Sequence, residues 1–395
     1  PVMGPTWEQI NEPSTASAGQ PVWWRQSRDA LIERLGERRA AYVYDLATIG
    51  VQAKLLADMT SLSRVFYAMK ANPHPAILQA IAAAGLSFEC VSPGEVERLQ
   101  LAVPKIANDR ILFTPNFAPR AEYQWALSRQ LRVTVDNLYA LTQWGDLFRG
   151  GEIFVRIDPG RGHGHHAKVR TAGVHSKFGV PLFELPELAE SARAAGAKVV
   201  GLHAHLGSGH FDVASWAGTA ATLAEAAAQF PDVKVLNVGG GLGVPDRPAR
   251  RPLDVAALDA ALAPICAAHP QFELWLEPGR FLVATAGVLL ARVTQLKGKG
   301  AMQYLGVATG MNSLLRPALY GAYHEIVNLT RLGQPSEGFW TVVGPICESG
   351  DVLGHDRLLP RSVEGDILLI ANTGAYGHAM GSNYNLRLPA EEMTL

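Results

Sequence analysis

The chain has 395 residues, of which 48% are hydrophobic and 18% are charged, a composition that suits a large globular protein with one big domain and a smaller one. Its formal net charge is -1, with lysines and arginines scattered along the chain, which argues against nucleic acid or an anionic membrane as a partner. The three cysteines lack metal-type spacing, and we find neither a bilayer-length apolar run nor a basic-then-apolar leader, so we expect a cytoplasmic protein without a disulfide framework.

The predicted elements begin with a polar lead-in and a helix within residues 1–40, followed by a short strand at Tyr42–Tyr44. From there, apolar strand-like runs alternate with helical stretches rich in alanine and leucine. The eight runs cover residues 65–70, 86–91, 110–114, 131–135, 152–157, 198–205, 233–238 and 272–276. Eight such strand–helix units predict an α/β protein with a (β/α)8 TIM-like barrel over residues 41–285, although a doubly wound open sheet gives a similar pattern.

After about residue 285, the chain changes to β-rich runs separated by Gly, Pro and Asn instead of helices. These runs cover residues 286–294, 302–308, 324–329, 339–343 and 366–371. We therefore predict a C-terminal β-sandwich or β-barrel domain over residues 286–395, joined by the strand near 42–44.

Four of the eight predicted barrel strands end in residues with reactive or phosphate-binding chemistry. They are Lys70 after the first strand, His205 and Ser208 after the sixth, Gly239, Gly240 and Gly241 after the seventh, and Glu277 with Arg280 after the eighth. Taken singly, a strand-end lysine is most often solvated and a triple glycine is most often a turn. Because the strand ends of a parallel barrel meet at one face, their coincidence favours a single site.

An amine, a glycine run and a carboxylate at one face predict pyridoxal 5'-phosphate as the cofactor. The consecutive backbone N–H groups of residues 239–241 can converge on a phosphate. Lys70 can form a Schiff base with the cofactor, and Glu277 can hold the pyridine nitrogen protonated so that the ring withdraws electrons from the substrate.

The other polar residues at this face also have a place in that chemistry. His205 can stack on the ring face, and Ser208 can contact the phosphate. Arg280 can pair with the phosphate or with a substrate carboxylate. The structural alternative is that Glu277 and Arg280 form an ion pair at a turn.

Three histidines, His163, His165 and His166, resemble a metal cluster at first sight. They follow the stretch 158–162 with glycines on both sides, and no cysteine or helical spacing accompanies them. We interpret them as part of a loop after the fifth strand and predict no metal site.

A set of motifs extends from the barrel into the β domain. In the barrel they are Tyr67–Asn72, Ser176–Gly179, His205–Ser208, Gly239–Gly243 and Glu277–Arg280; in the β domain they are Met311–Asn312, Arg316–Tyr320, Gly344–Asp351, Gly374–Tyr376 and Ser382–Asn385. With these motifs, the chain resembles the diaminopimelate decarboxylase family of barrel-type pyridoxal-phosphate enzymes over about residues 40–390, and the resemblance implies an alanine racemase-like barrel fold.

The resemblance implies decarboxylation of meso-2,6-diaminopimelate to L-lysine and carbon dioxide, the last step of lysine biosynthesis. It implies that Lys70 carries the cofactor, that His205 stacks on it, that Gly241, Arg280 and Tyr376 lie near phosphate or substrate, and that Arg316, Tyr320 and Glu348 bind the far carboxylate and ammonium of the substrate. A site that pairs both far charges discriminates against shorter or singly charged amino acids.

Cys347 is a packing residue if judged by residue type alone. The resemblance implies instead that Cys347 enters the active site of the other subunit and donates a proton after carbon dioxide leaves. It therefore implies a homodimer with shared active sites.

The chain departs from the family pattern at a few positions. Ala308 stands where many relatives have an acidic residue, the stretch Glu89–Glu95 varies, and the tail after Asn385 differs from the common ending. With the linker-like start, these variants resemble the decarboxylase part of chains fused to an aspartate kinase, so an upstream kinase domain is a hypothesis.

Three other functions are compatible with the same scaffold. The first is decarboxylation of another basic substrate such as ornithine, arginine or carboxynorspermidine, although Arg316 speaks against ornithine, which lacks a distal carboxylate. The second is amino-acid racemisation, and the third is a non-catalytic relative that binds a partner or stores the cofactor.

Overall fold

The computed structural model describes residues 22–160, 176–247 and 250–395, and their contacts form two compact units. The barrel unit comprises residues 49–243 and 253–282, and the β-rich unit comprises residues 1–48, 244–252 and 283–395 as far as they are described. The predicted histidine loop and the start of the lead-in lie outside the described residues. The domain limits predicted from the sequence, 41–285 and 286–395, stay a prediction.

The described helices and strands alternate over the first part of the chain. The helices are α1 Trp23–Gln26, α2 Arg28–Leu35, α3 Leu46–Ala57, α4 Pro75–Ala83, α5 Pro93–Ala102, α6 Arg120–Ser128, α7 Leu138–Gln143, α8 Leu185–Ala195, α9 Ala214–Ala226, α10 Val255–Ala268, α11 Arg280–Val283 and α12 Arg316–Tyr320. The strands are β1 Ala40–Tyr44, β2 Arg64–Ala68, β3 Ser87–Cys90, β4 Ile111–Phe113, β5 Arg132–Val135, β6 Glu152–Asp158, β7 Val180–Pro181, β8 Lys198–His203, β9 Val235–Asn237, β10 Glu273–Leu276, β11 Gly287–Lys299, β12 Met302–Val307, β13 Ile326–Asn328, β14 Gly338–Val343, β15 Val352–Leu359, β16 Ile367–Ile370 and β17 Glu391–Thr394.

The barrel unit contains a closed parallel barrel of eight strands. The strands pair in the order β5-β4-β3-β2-β10-β9-β8-β6, and a further pairing of β5 with β6 closes the ring. Among the described strands, the two-residue β7 pairs with β6 alone. Each of the eight predicted runs overlaps one barrel strand, so the TIM-like barrel is confirmed and the open-sheet alternative is wrong.

The barrel strands are buried on both faces. All four residues of β3 and the last four of β2 are buried, as expected for parallel strands covered on both faces. A cluster of large side chains fills the space between strands; its members are Phe66, Leu112, Phe154, Val235 and Trp275. The ring of Trp275 lies 4.8 Å from that of Phe66 and 5.2 Å from that of Phe154. This packing leaves the strand ends for polar groups.

The turn from β3 into α5 is closed by a helix cap. Ser92 accepts a hydrogen bond from the N–H of Glu95 at 3.2 Å, and Pro93 occupies the first turn. The Glu95 carboxylate reaches back to the N–H of Val91 at 2.8 Å, one residue earlier than in the usual capping box. Both bonds fix the direction in which the chain leaves β3.

The β-rich unit is a mixed sheet in which β13-β16-β11-β12-β14-β15 are neighbours. The strand predicted near residues 42–44 is β1; it pairs antiparallel with β11, from Ala40↔Ala291 to Tyr44↔Gly287. The final strand, β17, pairs parallel with β1. Among the described residues, no helix is long and apolar enough to span a membrane.

Two strands of this sheet were not predicted. In β15 the alternation of apolar residues is interrupted by Gly354–Asp356; Asp356 has a φ of 48°, and the pairing with β14 shifts register. In β17 the sequence Glu391–Thr394 has little strand character. It forms a strand because β1 offers a partner from the far end of the chain.

Candidate active site

Lys70 lies in a single 3-10 turn, Met69–Ala71, directly after β2. Two hydrogen bonds hold the chain around this turn. The Tyr67 hydroxyl donates to the carbonyl of Asn72 at 2.9 Å, and the Asn72 side chain accepts from the N–H of His74 at 3.0 Å. The Lys70 side chain is 46% exposed, and its Nζ lies 3.8 Å from Oε2 of Glu89. The Lys70 amine therefore lies at the strand end, with its side chain accessible to a ligand.

Glu89 is a buried carboxyl on β3. Burial raises its pKa, the charge of Lys70 lowers it in part, and the nearby charges of Glu277 and Glu95 raise it again, giving a value of about 8. A carboxyl with this pKa can hold a proton beside the lysine amine at neutral pH.

Glu277 directly follows β10, and two neighbouring strands hold its carboxylate. His203 at the end of β8 places Nε2 2.8 Å from one oxygen, and Asn237 at the end of β9 donates to the other oxygen at 2.8 Å. The strand register explains this meeting, because His203 pairs with Asn237 and Asn237 pairs with Trp275. The three polar groups thus lie at one level of the barrel.

The surroundings of Glu277 favour its ionised form. Burial alone raises its pKa, but the charge and hydrogen bond of His203 and the hydrogen bond of Asn237 outweigh burial and hold the pKa below its ordinary value. The barrel therefore contains two buried carboxyl groups with opposite shifts, since Glu89 has a raised pKa.

The run Gly239–Gly241 after β9 must consist of glycines, because backbone carbonyl groups of neighbouring segments approach it closely. A Cβ on Gly240 would overlap the carbonyl of Glu277, and a Cβ on Gly241, whose φ is 86°, would overlap the carbonyl of Gly207. No residue with a side chain fits this path without moving the neighbouring backbone.

Two N–H groups of this run have acceptors within the protein. Gly239 donates to the Asn237 side chain at 3.0 Å, and Gly240 donates to Nδ1 of His205 at 3.0 Å. The phosphate contact of the glycine run stays a prediction. Among the described residues, the N–H of Gly241 has no acceptor, so it is the one glycine donor of the run that can meet a phosphate.

The bond from Gly240 also fixes the state of His205. Nδ1 accepts a hydrogen bond, so it carries no proton. Burial, followed by the charges of Arg156 and Lys70, lowers the pKa of His205 well below its ordinary value. His205 is thus a neutral ring, which suits stacking on a flat cofactor.

Ser208 and Arg280 are brought together although they come from different strand ends. Arg280 begins α11, and its Nη2 and Nε lie 3.3 Å and 3.4 Å from the Ser208 hydroxyl. The carboxylate of Glu277 is bonded to His203 and Asn237 instead, so the predicted alternative of a Glu277–Arg280 ion pair is wrong for the described contacts.

The residues that sequence reasoning missed are Glu89, His203 and Asn237. All three lie inside strands, whereas the prediction considered residues after them. A polar residue within an apolar run was the available signal, because a polar group is buried in a strand at a cost unless it is bonded there.

The remaining predicted residues belong to the β-rich unit. Arg316 begins α12 and is buried, and Tyr320 ends the same helix half-buried. Tyr376 is half-buried and has a left-handed φ of 55°. Such a backbone conformation in a residue other than glycine is costly and is often found at functional sites.

Cys347 and Glu348 are both exposed, which contradicts the packing role inferred from residue type. Their loop is nevertheless fixed. The N–H of Cys347 donates to the Asn385 side chain at 2.7 Å, and Asp351 accepts from the N–H of Ile346 at 2.7 Å. The loop therefore presents a thiol and a carboxylate from a defined backbone.

The barrel unit therefore has the groups that pyridoxal phosphate requires: an amine at a strand end, an ionised carboxylate, a neutral ring and a tight glycine path. These features define a pyridoxal-phosphate barrel enzyme. The described residues contain no group of three or more His, Cys, Asp or Glu side chains that could hold a metal ion.

Comparison with known proteins identifies the family. Residues 46–284 match the pyridoxal binding domain of the pyridoxal-dependent decarboxylases. The chain is 38% identical to diaminopimelate decarboxylase from Methanothermobacter thermautotrophicus over 83% of this chain and 79% of that protein. It is 35% identical to the Escherichia coli diaminopimelate decarboxylase over 88% and 86% of the two chains.

Solved structures agree with the sequence comparisons. A crystal structure of diaminopimelate decarboxylase superposes with a TM-score of 0.86 at 32% identity, covering 94% of this chain and 92% of that chain. The Helicobacter pylori diaminopimelate decarboxylase complexed with L-lysine superposes with a TM-score of 0.83 at 30% identity, covering 93% of both chains. The chain belongs to the diaminopimelate decarboxylase family of pyridoxal-phosphate-dependent carboxy-lyases.

Proposed function

We propose that this enzyme removes a carboxyl group from meso-2,6-diaminopimelate and releases L-lysine and carbon dioxide, which is the last step of lysine biosynthesis. The observation that carries the proposal is the meeting of Glu277 with His203 and Asn237 beside the strand end that presents Lys70. An ionised buried carboxylate is what a protonated pyridine nitrogen needs as its partner.

The residues of the barrel unit fit pyridoxal phosphate. Lys70 would hold the aldehyde, Glu277 the pyridine nitrogen and His205 the ring face. Gly241, Ser208 and Arg280 would hold the phosphate, since the described N–H and guanidinium groups there are donors. Tyr376 is proposed to lie near phosphate or substrate.

When bound, the cofactor supplies an electron sink for the bond that breaks at the substrate α-carbon. The protein residues do the remaining work. Glu277 keeps a proton at the pyridine nitrogen because its own pKa lies below the ordinary value. Glu89, with a pKa of about 8, can give a proton to the Lys70 amine when the substrate displaces it and take the proton back afterwards.

Substrate choice is proposed to depend on the β-rich unit. Arg316 and Tyr320 would bind the distal carboxylate, and Glu348 the distal ammonium. Arg316 is buried, and a substrate without the distal carboxylate forgoes the charged hydrogen bonds that diaminopimelate would make with its guanidinium. Ornithine and arginine are therefore expected to be poor substrates.

We further propose a homodimer in which Cys347 and Glu348 reach the site of the partner subunit. Both side chains are exposed on a loop with a fixed backbone, which suits a contribution to a second chain. There Cys347 would return a proton to the α-carbon. The three cysteines are free thiols, which supports the cytoplasm as the place of action.

The test is to incubate the purified protein with pyridoxal phosphate and meso-diaminopimelate and to measure lysine and carbon dioxide. Ornithine, arginine and carboxynorspermidine serve as competing substrates. Faster turnover of ornithine than of diaminopimelate would contradict the proposal that diaminopimelate is the substrate. Exchange of the α-proton for deuterium without gas release would indicate a racemase instead.

A further inference from the structure

His324 is fully buried in the β-rich unit and connects Arg316 to the sheet. Its Nε2 lies 2.9 Å from Nη1 of Arg316, and its Nδ1 lies 2.9 Å from the carbonyl oxygen of Ala371. Arg316 is on α12, whereas Ala371 follows β16, so one imidazole joins the helix to the end of a strand.

The chemistry of the two contacts fixes the state of His324. A carbonyl oxygen only accepts, so Nδ1 must carry the proton and donate to Ala371. A guanidinium only donates, so Nε2 must offer a lone pair to Arg316. Both bonds exist only when His324 is neutral with its proton on Nδ1. This buried histidine therefore acts as a directed acceptor for the arginine.

The frame around His324 is rigid. The N–H of Ala371 donates to the carbonyl of Glu325 at 2.9 Å, and the next pair, Ile326↔Ile370, belongs to the β13–β16 ladder. The imidazole ring is thus anchored where β13 begins and β16 ends. Because a guanidinium is planar, one bond of fixed direction orients all its N–H groups.

We infer that His324 is a positioning residue that aims the Arg316 guanidinium at the distal carboxylate of the substrate. The inference rests on the proposed function, in which Arg316 binds that carboxylate. The competing explanation is that His324 only packs and stabilises the sheet. The two explanations differ in what a substitution does to ligands with and without the carboxylate.

The experiment compares two amides at position 324 in the holoenzyme. His324→Asn can replace the Nδ1 donor but reaches too short a distance to accept from Arg316, whereas His324→Gln can place an amide oxygen near the former Nε2. Binding of L-lysine, which keeps the distal carboxylate, and of cadaverine, which lacks it, is measured by calorimetry. The KM and kcat for diaminopimelate are measured in parallel.

We expect His324→Asn to weaken lysine binding and to raise KM by about tenfold, with cadaverine affinity and kcat changing much less, because an oriented charged hydrogen bond is lost. His324→Gln should recover most of that loss. Equal losses for lysine and cadaverine, or no difference between Asn and Gln, would overturn the inference. If His324→Asn fails to fold, His324→Leu takes its place in the same comparison.

A double-mutant cycle separates positioning from packing. In an Arg316→Lys background, His324→Gln and His324→Asn should no longer differ in lysine affinity, because the fork that His324 orients is absent. A persisting difference would contradict the inference. Since ligand binding is measured without turnover, absence of carbon dioxide release from diaminopimelate would refute the proposed function and leave the His324 result readable.

Discussion

At the scale of single residues, the barrel holds two buried carboxyl groups in opposite states. Glu277 has two donors and a pKa below its ordinary value, whereas Glu89 has a pKa of about 8. Burial acts on both in the same direction, so the difference comes from their partners. His203 and Asn237 supply Glu277 with hydrogen bonds, whereas Glu89 has the charges of Lys70 and Arg156 to offset burial, and these do not outweigh it.

His203 is the partner whose removal should change the cofactor site most directly. His203→Leu removes the bond to Glu277, so the pKa of Glu277 should rise and the loss of cofactor binding on acidification should begin at a higher pH. A lost charged hydrogen bond of about 1–3 kcal/mol corresponds to roughly tenfold weaker binding or more. His203→Gln keeps a donor and should be milder. Absorbance titration of pyridoxal phosphate at several pH values measures both effects, and identical behaviour of Leu and Gln would contradict this role.

Glu89 should make the stability of the cofactor-free protein depend on pH. Its folded pKa of about 8 lies above the ordinary value of 4.5, so the folded state binds more protons between these values. Its contribution to stability is therefore full below about 4.5 and is lost as the pH rises through about 8.

Glu89→Gln removes this titration while keeping the shape of the side chain. Between pH 5.5 and pH 8.5, the melting temperature of the parent protein should fall relative to that of Glu89→Gln. The expected fall is about 2–4 °C for each kcal/mol of stability that is lost. Scanning calorimetry of the two cofactor-free proteins at both pH values gives the difference. A constant gap across the range would mean that Glu89 is already ionised in the folded protein.

At the scale of elements, periodicity was enough for the barrel because each strand is a local apolar run bounded by turn residues. The capping pattern at Ser92 and Glu95 is equally local, and it is present. By contrast, β17 is a strand only because β1 lies beside it, and its pairing spans almost the whole chain. Local propensity contains no record of such a partner.

The same reason explains the missed part of the site. His203, Asn237 and Glu277 meet because three strands share a register, and register between sequence-distant strands leaves no local signal. Lys70 and the glycine run could be named from the sequence because each stands at a strand end. The structural reason for the glycines could not be predicted from the sequence. It is the close approach of the carbonyl groups of Glu277 and Gly207, which leaves no room for a side chain.

Gly240→Ala tests that close approach. The new methyl group would overlap the Glu277 carbonyl, so the path after β9 must shift away from β10. We expect at least tenfold weaker cofactor binding and a stability loss of about 1–3 kcal/mol. Gly218→Ala on α9 is the matched control, because its methyl group meets no atom within 4 Å and alanine favours a helix by about 1 kcal/mol over glycine.

Fluorescence titration with pyridoxal phosphate and chemical unfolding measure the two effects. Gly218→Ala should bind the cofactor like the parent protein and should be equally stable or slightly more stable. Cofactor affinity of Gly240→Ala equal to that of Gly218→Ala would refute the requirement for glycine.

At the scale of the whole molecule, the proposed assembly explains an arrangement that one chain alone does not. The Cys347 thiol is exposed, yet its backbone is fixed by Asn385, a residue with a left-handed φ of 57°. A thiol exposed on a fixed backbone is accessible to a group outside its own chain. A second copy of the chain is the simplest receiver, since most soluble oligomers are symmetric homo-oligomers.

Complementation of two inactive variants tests this assembly. Lys70→Ala should abolish the visible absorbance of lysine-bound cofactor, and Cys347→Ala should keep that absorbance but slow turnover. If Lys70 and Cys347 of one site come from different subunits, a heterodimer of the two variants contains one intact site and one doubly defective site. Co-expression at equal amounts should then restore about a quarter of the parent activity, because half of randomly paired dimers are mixed.

The double variant Lys70→Ala/Cys347→Ala is the control that separates shared sites from simple mixing. Paired with the parent chain it forms heterodimers in which both sites lack one group, so activity should fall to about a quarter instead of a half. Isolating heterodimers with two different affinity tags makes the count independent of expression level. If each subunit used its own cysteine, the two single variants would not complement, and the heterodimer of parent and double variant would keep one working site.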